Sequence, residues 1–213
     1  MSLPAATRNN AVVIVFARAP ARGQAKTRLV PRLGEWGAAR LHERLTLAAL
    51  RTARAARCGP VELHGTARHS FFGGKGRFRL QRGADLGERM HRAISAGLRR
   101  HRAVILMGID CPALAPRVLQ RAARLLRGAC DVVLAPAEDG GYALVAAKRV
   151  SPGLFEGIAW GGPQVYERTL ERLARLGYRW RALRTLWDVD RPQDLERLRS
   201  LRLPAALRQC AQR

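Results

Sequence analysis

Val104-Ile-Leu-Met-Gly-Ile-Asp-Cys-Pro112 is the stretch of sequence that decides the fold. Residues 103–107 are a short, continuous apolar run without polar alternation, which predicts a strand buried on both faces of a sheet. Gly108 ends the run, and Asp110 follows just beyond the carboxyl end of the strand, where open α/β sheets bind their ligands. A carboxylate there is a hard oxygen ligand suited to Mg²⁺ or Mn²⁺. Asp110 is therefore either a metal ligand or a simple turn cap.

The same kind of unit recurs along the chain. Residues 11–17 repeat the buried-strand pattern, and residues 115–127 carry apolar side chains at helical spacing. Further strands are predicted at residues 61–64, 78–81, 131–135, 143–147 and 178–186, with an exposed turn at 71–76. Further helices are predicted at residues 34–57, from Asp85 to about 100, from Pro163 to 176, and at 195–201.

Composition bounds the class of protein. A length of 213 residues and an apolar fraction of 47% predict one domain over residues 1–213, with residues 1–10 flexible. The net charge is +23, and only Lys26, Lys75 and Lys148 are lysines, so arginine supplies nearly all of the excess. Such a surface attracts polyanions. The arginines are spread through nearly every segment, which favours compositional bias over a nucleic-acid-binding surface.

Cysteine spacing and hydropathy indicate the compartment. Cys58, Cys111, Cys130 and Cys210 are scattered without CxxC spacing, which predicts neither a zinc site nor disulfides and suits a reducing compartment. No apolar run is long enough to span a bilayer, and residues 1–10 lack the apolar core of a signal peptide. We therefore expect a cytoplasmic protein without a membrane span, and the oligomeric state stays open.

The loop after the first strand, Arg18 to Arg28, is rich in cations and contains a glycine. A strand, such a loop and a helix together provide backbone N–H groups and fixed charges for the phosphates of a nucleotide. Neither GxxxxGK[ST] nor GxGxxG is present, and the alternative is a basic solvent-exposed loop. The use of lysine at position 26 weighs against that alternative. The predicted nucleotide-binding residues here are Ala17, Arg18, Ala19, Gly23, Lys26 and Arg28.

The polar segment of residues 81–90 has two interpretations. Asp85 and Glu88 have the spacing of a capping box, and that structural role would suffice alone. The functional alternative is a loop that lines a base or ribose pocket, which would add Gln81, Gly83 and Arg89 to the nucleotide-binding residues.

The turn at residues 136–142 is unusually acidic for this chain. Glu138 and Asp139 could accept a hydrogen bond from a hydroxyl group of an acceptor molecule. The two glycines that follow either let the backbone pass close to another group or simply make a hairpin. Trp160 could stack on a ligand ring, although a lone Trp beside a helix start is more often packed core. The predicted acceptor-binding residues are Gly140, Gly141, Tyr142 and Trp160.

Asp188 and Asp190 lie two residues apart in a predicted extended segment. Their side chains then point the same way and can share a cation. The predicted metal ligands are therefore Asp110, Asp188 and Asp190, whereas Asp194 is expected to cap or support the last helix.

Motifs spread over almost the whole chain, and in order, resemble one known family. They are Phe16-Ala-Arg-Ala-Pro with Gly23 and Lys26-Thr-Arg-Leu29, Asp85-Leu-Gly-Glu-Arg-Met90, Gly108-Ile-Asp-Cys-Pro112, Pro136-Ala-Glu-Asp-Gly-Gly-Tyr142, and Asp188-Val-Asp-Arg-Pro-Gln-Asp-Leu195. Together they resemble the DUF2064 family, which is placed among glycosyltransferases of the nucleotide-diphospho-sugar transferase superfamily, some members being named for arsenosugar biosynthesis. Gly162 and Arg191 depart from that pattern, since threonine is expected at both.

The resemblance implies a three-layer α/β fold of GT-A-like type. Its sheet would be Rossmann-like, mixed and mostly parallel, with helices on both faces. The resemblance also implies a nucleotide bound over the loop after the first strand, and a metal held by Asp110.

Two transfer reactions fit these residues. In glycosyl transfer, a cation at Asp110 neutralises the diphosphate leaving group of a nucleotide sugar, while Glu138 or Asp139 orients or deprotonates a hydroxyl of a small acceptor. The family resemblance favours this reaction, and we take it as the leading hypothesis. Its predicted catalytic residues are Lys26, Asp110, Glu138 and Asp139.

The second reaction is nucleotidyl transfer of the guanylyltransferase kind. Lys26 and Arg28 would clamp a triphosphate, a metal would be shared by Asp110 and Asp190, and a phosphate of the second substrate would attack the α-phosphorus. The basic loop and the separated acidic sites favour this chemistry. A third hypothesis is a non-catalytic basic domain that binds nucleic acid.

Overall fold

The computed structural model describes residues 11–200, which form seven strands and five α-helices. The strands are β1 Ala11–Ala17, β2 Val61–Gly65, β3 Arg77–Leu80, β4 Ala103–Met107, β5 Val132–Pro136, β6 Tyr142–Ala147 and β7 Trp180–Ala182. The α-helices are α1 Val30–Ala55, α2 Leu86–Leu98, α3 Pro116–Arg127, α4 Val165–Arg175 and α5 Asp194–Ser200. The prediction of a flexible stretch at 1–10 lies outside the described residues, as do Cys210 and the last predicted helical residue, 201.

All seven strands form one sheet in the order β3-β2-β1-β4-β6-β5-β7. Strand β6 pairs antiparallel with both β4 and β5, and the remaining pairs are parallel. This confirms the mostly parallel mixed sheet. Val15 of β1 is opposite Met107 of β4, so the loops that follow these two central strands leave the sheet side by side.

Helices cover both faces of the sheet, as a sheet whose strands are apolar on both sides requires. Helices α1, α3 and α5 pack on one face through residues such as Leu41, Leu119 and Leu195. Helices α2 and α4 pack on the other through Ile94 and Leu173. The three-layer α/β architecture is therefore confirmed.

Close packing of α2 sets one wall of the region described below. A Cβ atom at Gly97 would lie 2.6 Å from Val104 Cγ2 of β4, so only glycine lets the helix approach the strand this closely. The chain enters α2 directly after β3, which places the first turn of the helix beside the carboxyl edge of the sheet.

Three element boundaries and one predicted exposed turn differ from the sequence predictions. Helix α1 begins at Val30, but Gly34 has φ 67° and separates a first turn from the long helix. Helix α4 begins at Val165 after Gln164, so Pro163 is not its first residue. Strand β7 is only three residues long. Within the predicted exposed turn, Phe72 is buried and stacks on Phe78 with ring centroids 5.2 Å apart.

Two further predictions concern the described part of the chain. None of the helices between residues 11 and 200 is long and apolar enough to cross a membrane. Cys58, Cys111 and Cys130 are free and buried, while the cytoplasmic location stays a prediction.

Candidate functional site

A cavity of about 570 Å³ opens at the carboxyl edge of the sheet, between the loops that follow β1 and β4. Its volume is in the range of small-molecule sites, and ligands of open α/β sheets bind in crevices at this edge. Most of the predicted site residues line it, namely Ala17, Arg18, Lys26, Arg28, Gln81, Arg89, Asp110, Asp139, Gly141, Tyr142, Trp160, Asp188 and Asp190.

Lys26 ties three distant segments together. Its side chain is only 4% exposed, and its Nζ lies 2.7 Å from Asp110 Oδ1 and donates a hydrogen bond to Val189 O. The Val189 backbone N–H donates in turn to Asp110 O at 2.8 Å. Lys26 adopts a left-handed conformation with φ 52°, a costly arrangement for a residue with a side chain, and such conformations cluster at functional sites. The cationic loop, Asp110 and the segment 188–190 thus share one cavity.

Four carboxylates line this cavity, and three of them, Asp110, Asp139 and Asp188, come from different loops. Burial and the negative charges of Asp139 and Asp110 together raise the pKa of Asp188 to about 6, against the opposing effect of Lys26. Burial, with help from the same three carboxylates, also raises the pKa of the Cys111 thiol. Cys111 is therefore protonated at neutral pH and is a poor nucleophile.

Asp190 has a different environment from Asp188. Its Oδ2 accepts a hydrogen bond from Arg28 Nη1 at 2.5 Å, and its backbone N–H donates to Asp194 Oδ2 at 3.0 Å. Asp194 also accepts from the backbone N–H of Arg191 at 2.6 Å, which is the supporting role expected for it. The charge of Asp190 is thus already balanced, whereas that of Asp188 is not.

The donor set fits a cation that arrives with a phosphate. Within residues 11–200, no three His, Cys, Asp or Glu side chains form a ready-made metal site. Mg²⁺ is usually held by only one or two carboxylates together with substrate phosphates and water. Asp110, whose side chain is half exposed, and the destabilised Asp188 carboxylate meet that requirement. Asp190, paired with Arg28, fits it less well than predicted.

Four cationic side chains also line the cavity, Arg18, Lys26, Arg28 and Arg89, and together they form its cationic wall. Gln81 supports this wall, because its Nε2 donates to Ala17 O at 3.2 Å and to His64 O at 2.8 Å.

The capping interpretation of the 81–90 segment is confirmed, and nucleotide binding by this segment stays a prediction. Asp85 caps α2 by accepting from the Glu88 backbone N–H at 2.8 Å, and Glu88 accepts from the Ala84 N–H at 2.7 Å. The capping network holds the turn, and Gln81 and Arg89 on either side of it reach the cavity.

The structure separates Glu138 from its neighbour Asp139. Arg197 Nη1 and Nη2 bind the two carboxylate oxygens of Glu138 at 2.6 and 3.1 Å, and this pairing lowers the Glu138 pKa. Glu138 is not among the residues that line the cavity. Asp139 lines it and accepts a hydrogen bond from the Gly141 N–H at 2.9 Å. Of the two predicted acids, only Asp139 is placed to meet a ligand.

Four other predicted residues also lie outside the cavity lining, where they shape its loops. Ala19 donates its N–H to Thr66 Oγ1 at 3.1 Å, and Gly83 O accepts from Arg89 Nε at 3.0 Å. Gly23 has φ 68°. Gly140 has φ 85°, and a Cβ atom there would lie 1.9 Å from Pro163 O, so the glycine permits a close backbone approach.

Tyr142 and Trp160 are aromatic residues that line the cavity and also pack against each other. Trp160 packs edge-on to Tyr142 with ring centroids 6.5 Å apart, and its ring occupies the space where a Cβ of Gly87 would be. The Trp160 Nε1 atom is buried and has no hydrogen-bond partner among the described residues. Buried polar atoms are normally paired, so this donor is a candidate contact for a ligand.

Sequence reasoning missed His42, which lines the cavity from the middle of α1. The side chain is buried, and its Nε2 lies 2.9 Å from Arg18 O. A carbonyl oxygen only accepts, so Nε2 carries the proton and Nδ1 bears a lone pair. Nδ1 is buried without a partner in residues 11–200, and burial lowers the pKa of the ring. The signal in the sequence was a histidine on a largely apolar helix face.

A comparison with protein families matches residues 46–162 to the family described as "Uncharacterized protein conserved in bacteria (DUF2064)". No curated protein matches the chain.

Solved structures extend the comparison to nearly the full chain. A "putative nucleotide-diphospho-sugar transferase" from Desulfovibrio desulfuricans G20 is 28% identical, covers 93% of this chain and 92% of its own, and superposes with a TM-score of 0.84. A CMP:2-keto-3-deoxy-manno-octonic acid synthetase complexed with CTP is 16% identical, with coverage of 90% and 97% and a TM-score of 0.54. Rv0371C from Mycobacterium tuberculosis, in complex with manganese, is 18% identical, with coverage of 90% and 100% and a TM-score of 0.54. These likenesses confirm the nucleotide-diphospho-sugar transferase fold.

Proposed function

We propose a function from the premise that this chain belongs to the DUF2064 family: it is a metal-dependent transferase that moves a glycosyl group from a nucleotide sugar to a small acceptor. One observation carries the proposal. A single cavity is lined by four cations and by the carboxylates of Asp110, Asp139 and Asp188. A nucleotide diphosphate, its cation and a hydroxyl-bearing acceptor need that combination of charges.

The cationic wall would bind the phosphates. Lys26 is held in place by Asp110 and the Val189 carbonyl, so its ammonium group is oriented before the substrate arrives. Groups fixed in advance stabilise developing negative charge without reorganising during the reaction. Arg18 and Arg89 border the same space from the β1 loop and from α2.

Asp110 and Asp188 would hold Mg²⁺ or Mn²⁺ together with the phosphates. When bound, the cation would supply neutralising charge to the diphosphate leaving group. Burial and the repulsion from Asp139 and Asp110 raise the pKa of Asp188, and a positive ion would relieve that repulsion, which favours binding there.

Asp139 would orient the acceptor hydroxyl and accept its proton. The hydrogen bond from the Gly141 N–H to Oδ1 fixes the carboxylate and leaves Oδ2 available. Gly141, Tyr142 and Trp160 would form the acceptor side of the cavity. Glu138 is assigned no catalytic role, because Arg197 engages both of its oxygens.

Nucleotidyl transfer is the second candidate, and the size of the cationic wall favours it. Four positive side chains suit a triphosphate, which carries more negative charge than the diphosphate of a nucleotide sugar. In that reaction Lys26 and Arg28 would clamp the triphosphate. Asp110 and Asp188 would again hold the cation, since Asp190 is engaged by Arg28.

A thermal-shift screen tests the proposal. Nucleoside triphosphates and UDP- and GDP-sugars would be compared, each with and without Mg²⁺ or Mn²⁺. Glycosyl transfer predicts metal-dependent stabilisation that is largest for a nucleotide sugar, lost in Asp110→Ala and weakened in Lys26→Ala. Glu138→Gln is the matched control and should retain the shift, because Glu138 lies outside the cavity.

The other outcomes identify the alternatives. A preference for a triphosphate would support nucleotidyl transfer instead. Nucleic-acid binding that survives Asp110→Ala and falls steeply with salt, with no nucleotide binding, would contradict both transferase proposals.

A further inference from the structure

We propose that a groove on the α2 side of the sheet is a second binding site and that it takes a compact ligand carrying several phosphate groups. The groove has a volume of about 740 Å³ and lies between the edge strand β3 and helix α2. Among the described residues that line it there is no Asp or Glu. Its arginines are Arg68, Arg79, Arg82, Arg89, Arg92 and Arg99.

Only some of these positive charges are balanced by the protein. Glu62 accepts from Arg79 Nε at 2.9 Å, and Glu88 accepts from Arg92 Nε at 2.8 Å. Arg68, Arg82 and Arg99 form no ion pair within residues 11–200. Like charges gathered in one groove repel each other, and a multivalent anion would replace that repulsion with charge-assisted hydrogen bonds.

The shape of the groove favours a small polyanion over a nucleic-acid strand. Its volume is within the range of small-molecule sites. Proteins that bind single strands combine a longer charged track with exposed aromatic rings on which bases stack. The aromatic ring of Phe78 in this groove is partly buried and already stacks on Phe72 at 5.2 Å. Phosphate groups on a compact scaffold therefore match the groove better.

The groove is a neighbour of the nucleotide cavity but does not depend on it. Gln81 and Arg89 line both spaces and form the wall between them. Arg68, Arg82 and Arg99 line the groove alone. The inference therefore stands independently of the transfer reaction, and these three arginines can be replaced without touching the cavity.

Calorimetric titration with inorganic tripolyphosphate tests the inference. The groove variant is Arg68→Ala/Arg82→Ala/Arg99→Ala. The matched control is Arg117→Ala/Arg121→Ala/Arg124→Ala, which removes the same charge from exposed positions on α3. The full-length wild-type protein should bind two tripolyphosphate ions, one in the cavity and one in the groove. The groove variant should keep only one, and the control should keep both.

The Lys26→Ala variant separates the two sites. It should lose the tripolyphosphate ion in the cavity and keep the one in the groove. The affinity of the groove for that ion should fall at least about tenfold when Arg68, Arg82 and Arg99 are also replaced by alanine. Unchanged stoichiometry in the groove variant would overturn the inference. So would an equal loss in the α3 control, because the binding would then reflect net charge alone. Groove-dependent displacement of tripolyphosphate by a single-stranded oligonucleotide, at equal phosphate concentration, would overturn it in favour of nucleic acid.

Discussion

Glu62 and Asp188 are acids placed in opposite electrostatic surroundings, one surrounded by cations and one by other acids. Glu62 on β2 is 1% exposed and is bound by Arg79, Arg100 and His64. Burial alone would raise its pKa, but hydrogen bonds from Arg100 and His64 outweigh burial and lower the pKa to about 2. Asp188 faces other carboxylates, and its pKa rises to about 6.

The difference separates a structural charge from one available to a ligand. The lone pairs of Glu62 are already occupied by protein donors, so it can stabilise the fold but cannot recruit a ligand. Asp188 is buried and has too few cations around it to balance its charge, so a positive ion would stabilise its carboxylate. Burial alone would not distinguish these two roles; the sign of the neighbouring charges does.

The largest expected effect is on stability, from Glu62→Gln. The substitution leaves arginines beside a buried neutral amide, and removing one partner of a buried ion pair costs about 3 kcal/mol at the low end of its usual range. The guanidinium groups of the partly exposed arginines can be hydrated by solvent after the substitution, which keeps the loss of stability at the low end of that range. Urea unfolding measures the loss. An unchanged midpoint would show that Glu62 contributes nothing to folding, and nucleotide binding by the folded fraction should be unaffected.

Asp188→Asn should raise the stability of the protein, in contrast to Glu62→Gln, and should weaken metal-dependent nucleotide binding. The amide removes a carboxylate that is repelled by its neighbours, so the variant should unfold at a higher temperature than the wild type at pH 7.5. Metal-dependent nucleotide affinity should fall about tenfold, as expected for loss of one charged ligand. Asp190→Asn is the control and should have the smaller effect on metal dependence, since Arg28 engages Asp190. Equal loss in both variants would contradict the distinction between them.

The pH dependence of stability should show the two acids separately. The Asp188 pKa is raised to about 6, so the folded state binds the extra proton and its stability falls as pH rises from about 4 to 6. The Glu62 pKa is lowered to about 2, so its contribution is lost as pH falls from about 4.5 to 2. Unfolding free energies of wild type, Glu62→Gln and Asp188→Asn across this range test the signs. A wild-type profile that matches Asp188→Asn between pH 4 and 6 would refute the Asp188 assignment.

The smallest effect is expected from His42→Gln. If the free Nδ1 lone pair accepts a hydrogen bond from the bound substrate, its loss should weaken nucleotide affinity about fivefold, which is the size of one neutral hydrogen bond. Isothermal titration of the nucleotide in the presence of Mg²⁺ measures the change. His101→Gln is the control, because His101 lines neither the cavity nor the groove. Indistinguishable affinities for wild type and His42→Gln would remove His42 from the site.

Much of the fold and part of the candidate site were predictable from the sequence, because these features depend on local patterns. Buried strands such as β1 and β4 are continuous apolar runs. Asp110, which follows β4, marks the edge of the sheet where the cavity lies. The family resemblance, which rests on motifs found in the same order along the chain, predicted the three layers and the mixed sheet.

The remaining features depend on contacts between segments far apart in sequence. Arg197 lies 59 residues from Glu138 in the sequence and binds its carboxylate, which is outside the cavity lining. The partner of Asp190 is Arg28, and the charge neighbours of Asp188 are Asp139 and Asp110. His42 faces the cavity only because α1 packs over the β1 loop. No spacing rule within one segment reveals such pairings.

Electron paramagnetic resonance of Mn²⁺ tests the central claim most directly, because it counts free cation. Asp110 and Asp188 should bind little Mn²⁺ in the protein alone, and addition of the nucleotide substrate should remove far more free Mn²⁺ than the nucleotide does without protein. This gain should vanish in Asp110→Ala and persist in Glu138→Gln. Equal Mn²⁺ uptake by wild type and Asp110→Ala in the presence of nucleotide would contradict the account.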